Sequence, residues 1–393
     1  EATILFSTAL ILLAFFIFLQ PRDYFNWVKK PGREKLDLAL LAVFFIALIF
    51  FGLLNANADL KTGSEGYYSS GSTWGDLPFH ASLITFFTQQ VKLEYPIFAG
   101  HALGYYFGFD FLSSTLVKGG MELSPSIAAP NALYSALFAS VLYLLAVKVS
   151  GSKKAGAIAL MLVFFTGGIG FLDFFNQANA NGFSGLDKIV SARDYSRSPD
   201  NGFEWSNIIV DLILPQRSAV IGFTAALAAM LLVILAVEEK KKPGGEKWNK
   251  KIVFASLLLG LTPLFHATSA VVGAFICAGI LLFERREWLM QFLAPAGLMA
   301  LPQVSLMLSQ AGGFIRFAPG WMFKGDFLGW LWFWVKNAGP LFALALVGMI
   351  FLDKMQRKYL AGFGIIFIAA NLLVFQPWAY DNTKFLVYAL FAA

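Results

Sequence analysis

An all-α polytopic membrane protein is the fold class that this sequence predicts, and three observations carry the reading. Of the 393 residues, 58% are hydrophobic and only 14% are charged, where a soluble domain carries about 25% charged residues. Mean hydropathy is +0.66. Apolar runs recur along the whole chain at lengths that approach the ~20 residues a helix needs to cross a bilayer core. Basic residues gather in alternate short loops between those runs.

Eleven apolar runs are predicted as spans: 2–20, 38–55, 130–149, 155–173, 215–237, 252–266, 268–283, 288–308, 327–351, 359–376 and a run starting at 383. Two of them, 252–266 and 268–283, are short and meet at "TPLFHATS", which reads as a hairpin or a broken pair. The loops 21–36, 148–154, 238–251, 284–287 and 353–358 hold 19 of the 30 Lys and Arg residues. Density of that kind in short loops marks the cytoplasmic side, so the net charge of +6 reads as a topology signal and not as a nucleic-acid surface. The whole chain, 1–393, reads as a single transmembrane domain truncated at both ends. The lone cysteine, Cys277, lies in an apolar run and reads as a small apolar filler.

The loops on the opposite side carry the polar chemistry. Residues 56–129 form a first external loop too long for a plain connector. Two amphipathic stretches within it, 76–91 and 101–117, predict helices lying on the membrane surface. A second external loop, 174–214, is rich in Gly and Asn. In the first stretch Asp76 and His80 share a helix face at a spacing of four, which suits a functional carboxylate with a histidine partner; N-cap duty for Asp76 is the alternative. Tyr95, His101 and Tyr105, in "YPIFAGHALGYYFGF", are candidates for substrate contact or for aromatic anchoring at the interface. Arg217 opens the run that follows "LILPQ", where a guanidinium would suit a lipid phosphate or snorkel to headgroups. Lys384 with Asp381, and His266 in the hairpin, complete a set of polar groups on that face. "TGGIGF" at 166–171 reads as helix packing or a bend. No Walker loop, GxSxG elbow, HExxH or CxxC occurs in the chain, so ATP and zinc-peptidase chemistry have no foothold.

In order, these features resemble the GT-C superfamily of integral-membrane glycosyltransferases. The parallel runs through "GDLPFHASLITFF", then "YP", then "GHALGYYFGFDFLSS", then two spans joined by a small basic loop. Many members carry an acidic pair where this chain has Asp76 followed by Leu77, and the run 2–20 precedes the usual first span. The resemblance implies a sugar donor linked to polyprenyl phosphate, and an acceptor hydroxyl on a glycan, lipid or protein. For such a transfer Asp76 is the candidate general base, His80 or His101 the group that orients it or the acceptor, and Arg217 with Lys384 the candidate phosphate clamp. A divalent cation held by Asp76 and a second external acid such as Asp194 is compatible with it, although hard cations need several oxygens and the sequence offers no paired acidic cluster. A transporter or flippase for an anionic lipid-linked substrate is the rival reading. Transporters place ionisable groups near the bilayer midplane, whereas the middles of these runs are nearly free of charge.

Overall fold

The computed structural model describes residues 37–180, 182, 195, 198, 202–204, 207–239, 248–308 and 315–393. The first predicted run, 2–20, and about half of the loop 174–214 lie outside them. The described chain is mostly helical. Its strands form two short antiparallel pairs, β1 (Lys61–Gly63) with β2 (Gly66–Tyr68), and β3 (Arg316–Phe317) with β4 (Leu373–Val374).

Among the described residues, five helices are long and apolar enough to cross a membrane: α1 (Leu38–Ala58), α4 (Leu123–Ser150), α7 (Arg217–Glu238), α9 (Ala267–Glu284) and the stretch 286–307, which covers all but the last residue of α10 (Leu289–Leu308). A sixth exists if α11 (Phe327–Ala338) and α12 (Pro340–Phe351) count as one bent span. Their outward faces are oily: Leu38 is 76% exposed and Phe351 80%. Contiguous apolar exposure of this kind costs little against lipid and a great deal against water.

Several predicted runs prove shorter or broken, each for a local reason. The run 155–173 divides into α5 (Lys153–Phe165) and α6 (Phe171–Ala180). Gly168 between them has φ of +70°, and a Cβ there would stand 2.6 Å from the Lys336 carbonyl oxygen. "TGGIGF" is therefore a tight backbone crossing against the end of α11. The run 327–351 bends by 105° because Gly339 sits at φ +60° and Pro340 opens the next helix. α8 (Lys250–Leu261) passes through a 3-10 turn, Thr262–Leu264, and stops at His266, which is the predicted break. α13 (Lys354–Leu372) carries too many charged residues in its first turns to qualify as a span by composition, and α14 (Thr383–Ala392) is short. α4 begins at Leu123, earlier than the predicted 130, and takes Pro130 inside the helix.

α7 is the axis of the core. It packs against α4, α8 and α9, and most of its length is buried. The basic loops meet at its C-terminal end. Lys148 pairs with Glu238, Lys251 with Glu239 and Lys358 with Glu284. The Gln356 amide also reaches the Val149 carbonyl at 2.7 Å. The N-terminal end of α7 holds a different population of polar groups.

The two predicted amphipathic stretches form α2 (Leu77–Gln89) and α3 (Gly108–Lys118), the second starting at Gly108 and not at 101. They pack on each other through Phe87, Phe107 and Phe111. The segment before α2 is tied to the end of α1, since the Ser70 and Thr73 hydroxyls both donate to the Ala58 carbonyl, at 3.0 and 2.6 Å.

Candidate functional site

Three helices begin at one cavity of about 550 Å³ beside the N-terminal end of α7. α2 brings Asp76, α7 brings Gln216 from the residue before its first turn, and α14 brings Thr383 and Lys384. Asp76 stands at the N-cap position of α2 but makes no side-chain capping bond. It is exposed, and its Oδ2 accepts a hydrogen bond from Gln216 Nε2 at 3.2 Å. The capping alternative for Asp76 is therefore not realised, and its carboxylate faces the cavity.

Lys384 forms the other side of the site. Its Nζ lies 3.1 Å from Asp381 Oδ1, with the lysine side chain nearly buried and the aspartate partly open. Asp76, Asp381 and Tyr106 are all within electrostatic reach of Lys384. Asn382 fixes this corner. Its buried amide donates to the Ala370 and Leu373 carbonyls, both at 2.9 Å, and its Oδ1 accepts from the Phe375 amide at 3.0 Å. A π-helical turn, Ile209–Ile213, supplies Asp211, whose Oδ2 accepts from the Tyr380 hydroxyl at 2.8 Å. Asn131 holds that turn by donating to the Ile213 carbonyl at 3.1 Å and to Asn55 Oδ1 at 2.6 Å.

The lining side chains comprise three carboxylates (Asp76, Asp211, Asp381) and one ammonium (Lys384), formally −3 and +1, or −2. Three helix N-termini open on the same space, and each contributes about +0.5. Together they return roughly +1.5, so the cavity is close to neutral. It can accept a negative group beside Lys384 while keeping a carboxylate ionised beside Gln216. Among the described residues no group of three or more His, Cys, Asp or Glu side chains is arranged to hold a metal ion, and Asp194 lies outside them. This donor set does not fit a resident cation.

The remaining predicted residues sit elsewhere. His80 turns away from Asp76 and faces the neighbouring helix, where its Nδ1 lies 3.0 and 2.9 Å from the two oxygens of Asp110. Both partners are buried. His80 is the clasp between α2 and α3, because its direction is set by the buried acid and not by the spacing from Asp76. Arg217 is also turned inward. Its Nη1 lies 3.1 Å from Asp59 Oδ1, and the pair is 2% and 1% exposed. Burial raises the Asp59 carboxyl to about 6, with Arg217 pulling it down as the lesser influence. The guanidinium belongs to the joint between α1 and α7 and does not line the cavity. Tyr95 packs against Phe79, and its backbone pairs with His101. His101 is exposed and stacks on Phe98 with ring centroids 3.9 Å apart. Tyr105 stacks on Tyr106 at 4.0 Å and packs against Phe79. His266 is 1% exposed and lies edge-on to Tyr106, centroids 5.8 Å apart, close behind Lys384.

Asp59, Asp110, Asp211 and Gln216 were not singled out by the sequence. Asp59 had a signal, since it is the first charge after the apolar run 38–55. Asp110 had another as the only acid in α3. No protein-family model matches the chain, and no curated protein or solved structure matches it.

Proposed function

We propose that the chain is a membrane glycosyltransferase that moves a sugar from a polyprenyl-phosphate donor to an acceptor hydroxyl, with the cavity at the external face and the basic loops in the cytoplasm. The observation that carries the proposal is the meeting of Asp76 and Lys384 in one cavity, although they lie at opposite ends of the sequence. Such a transfer needs a base at the acceptor and a cation at the departing phosphate, and these two residues are of those types. Asp76 takes the proton of the acceptor hydroxyl as its oxygen bonds to the anomeric carbon. The bond from that carbon to the phosphate oxygen breaks, and the polyprenyl phosphate leaves with the bonding pair beside Lys384. Gln216 orients the Asp76 carboxylate. The proposed topology is supported by the basic loops meeting at the opposite end of α7 from the cavity. The similarity to the GT-C order of motifs points the same way.

The test is transfer of radiolabelled sugar from a polyprenyl-phosphate donor by the full chain in lipid vesicles. K384M is expected to lower turnover by about 100- to 1,000-fold, the scale of a lost charge stabiliser. Full turnover by K384M would remove it from the mechanism. Movement of the intact lipid-linked sugar across the vesicle, without its cleavage, would replace the transferase with a flippase.

A further inference from the structure

His266 is the buried imidazole for which the fold has arranged one nitrogen and left the other unmatched. Its Nδ1 lies 2.6 Å from Ser269 Oγ, and the Tyr388 hydroxyl donates to that same oxygen at 2.6 Å. Ser269 and Tyr388 are fully buried. A serine hydroxyl has a single hydrogen. With Tyr388 donating to Oγ, the serine hydrogen is free to reach Nδ1, and in that arrangement the neutral ring carries its own hydrogen on Nε2. That Nε2 is buried and has no hydrogen-bond partner. Burial, and secondarily the charge of Lys384, holds the imidazole well below its usual pKa, so it stays neutral.

An unmatched buried donor costs about 1–3 kcal/mol and calls for an explanation. The fold has made room for this one. A Cβ at Gly222 of α7 would stand 2.6 Å from His266 Cβ and 2.7 Å from Ser269 Oγ, so only glycine lets the histidine and serine nest there. The surroundings favour an anion. α9 begins at the next residue, and a helix N-terminus favours negative charge. Tyr106 touches His266 edge-on and is also within reach of Lys384. The Lys384 ammonium lines the cavity.

We propose that the Tyr388–Ser269–His266 chain presents a fixed Nε2–H donor which, together with Lys384, binds a phosphate oxygen just behind the cavity lining, of which Lys384 is part and His266 is not. Ser269 and Tyr388 are positioning residues and His266 is the contact. The site deepens the transferase reading and rests on it only for the identity of the anion as the donor's phosphate. The same donors would also take free phosphate.

The experiment uses the full chain in nanodiscs, with farnesyl phosphate, farnesol and inorganic phosphate as probes. Nitrogen-15 spectra of the imidazoles, of which the chain has 3, report which ring nitrogen is protonated. The expected result is an Nε2–H tautomer for His266 whose signal moves with farnesyl phosphate and not with farnesol. S269A is expected to lose the fixed tautomer and bind farnesyl phosphate about tenfold more weakly, about 1.4 kcal/mol, while S269T restores both. A comparable shift with inorganic phosphate supports the anion site and assigns it to phosphate of either source. An Nδ1–H tautomer in the wild type, or unchanged affinity in a folded S269A, overturns the proposal. Sugar transfer without any phosphate response at His266 overturns this site alone. Phosphate binding through His266 without sugar transfer overturns the transferase reading and leaves the site standing.

Discussion

Asp110 and Asp76 belong to neighbouring helices of the same insert, and the fold treats them in opposite ways. Asp110 is sealed in and paired with His80. Asp76 stays open, held only by an amide. The same division separates Asp59–Arg217, closed and fully buried, from Asp381–Lys384, whose aspartate faces the cavity. A closed pair has exchanged water for one partner and has little capacity for another ligand. An open group keeps that capacity. The closed pairs join separate helices, α2 to α3 across 30 positions and α1 to α7 across 158. The open groups sit where those joined segments leave a gap.

The comparison can be broken by removing members of each class. The largest stability effect is expected for Asp59→Ala, which strands a buried guanidinium and should destabilise the fold by about 3–5 kcal/mol. Thermal unfolding in detergent measures it, and a loss below ~1 kcal/mol would contradict a closed joint. Asp110→Ala leaves His80 without its acceptor and should cost about 1–3 kcal/mol, read in the same way.

A subtler effect follows from the Asp59 carboxyl, raised to about 6 from its ordinary 3.8. The folded state holds that proton more tightly than the unfolded chain. The stability it contributes is therefore complete below about pH 3.8 and is lost as pH rises through about 6. The wild-type melting temperature should carry a step near pH 6 that Asp59→Asn lacks. Identical profiles for the two proteins would contradict burial as the cause. The smallest effect is expected at Gln216→Ala, which removes one neutral donor from Asp76. Turnover should fall about 2- to 10-fold with melting nearly unchanged.

Much of the helical plan is legible in the sequence. α1, α7, α9 and α10 follow from uninterrupted apolar length, and α2 and α3 from amphipathic spacing. The bend at 166–171 is one of the two readings of "TGGIGF" and the break at Gly339 is unforeseen; both are backbone events. Gly168 and Gly339 approach each other, with a Cβ at Gly339 standing 3.0 Å from the Gly168 carbonyl, and a composition count does not register such a crossing. The site was half legible for a related reason. Asp76, Asp381, Lys384 and His266 stand out as scarce polar groups at the ends of oily runs. Whether such a group is open or closed depends on a partner set by tertiary packing. Arg217 and Asp59 are separated by 158 positions, and no local spacing encodes their pairing. His80 shows the converse, since its spacing from Asp76 suggests a dyad and the fold gives it to Asp110.

The most direct test of the division between closed and open charges sets Asp76→Asn beside Asp110→Ala in the same vesicles. Single-turnover sugar transfer is measured per folded molecule, together with the melting temperature. The account predicts that Asp76→Asn melts like the wild type and transfers sugar about 100- to 10,000-fold more slowly, the range of a lost general base, while Asp110→Ala melts early and its folded fraction transfers at the wild-type rate. Undiminished transfer by Asp76→Asn, or a catalytic loss in folded Asp110→Ala, would contradict it.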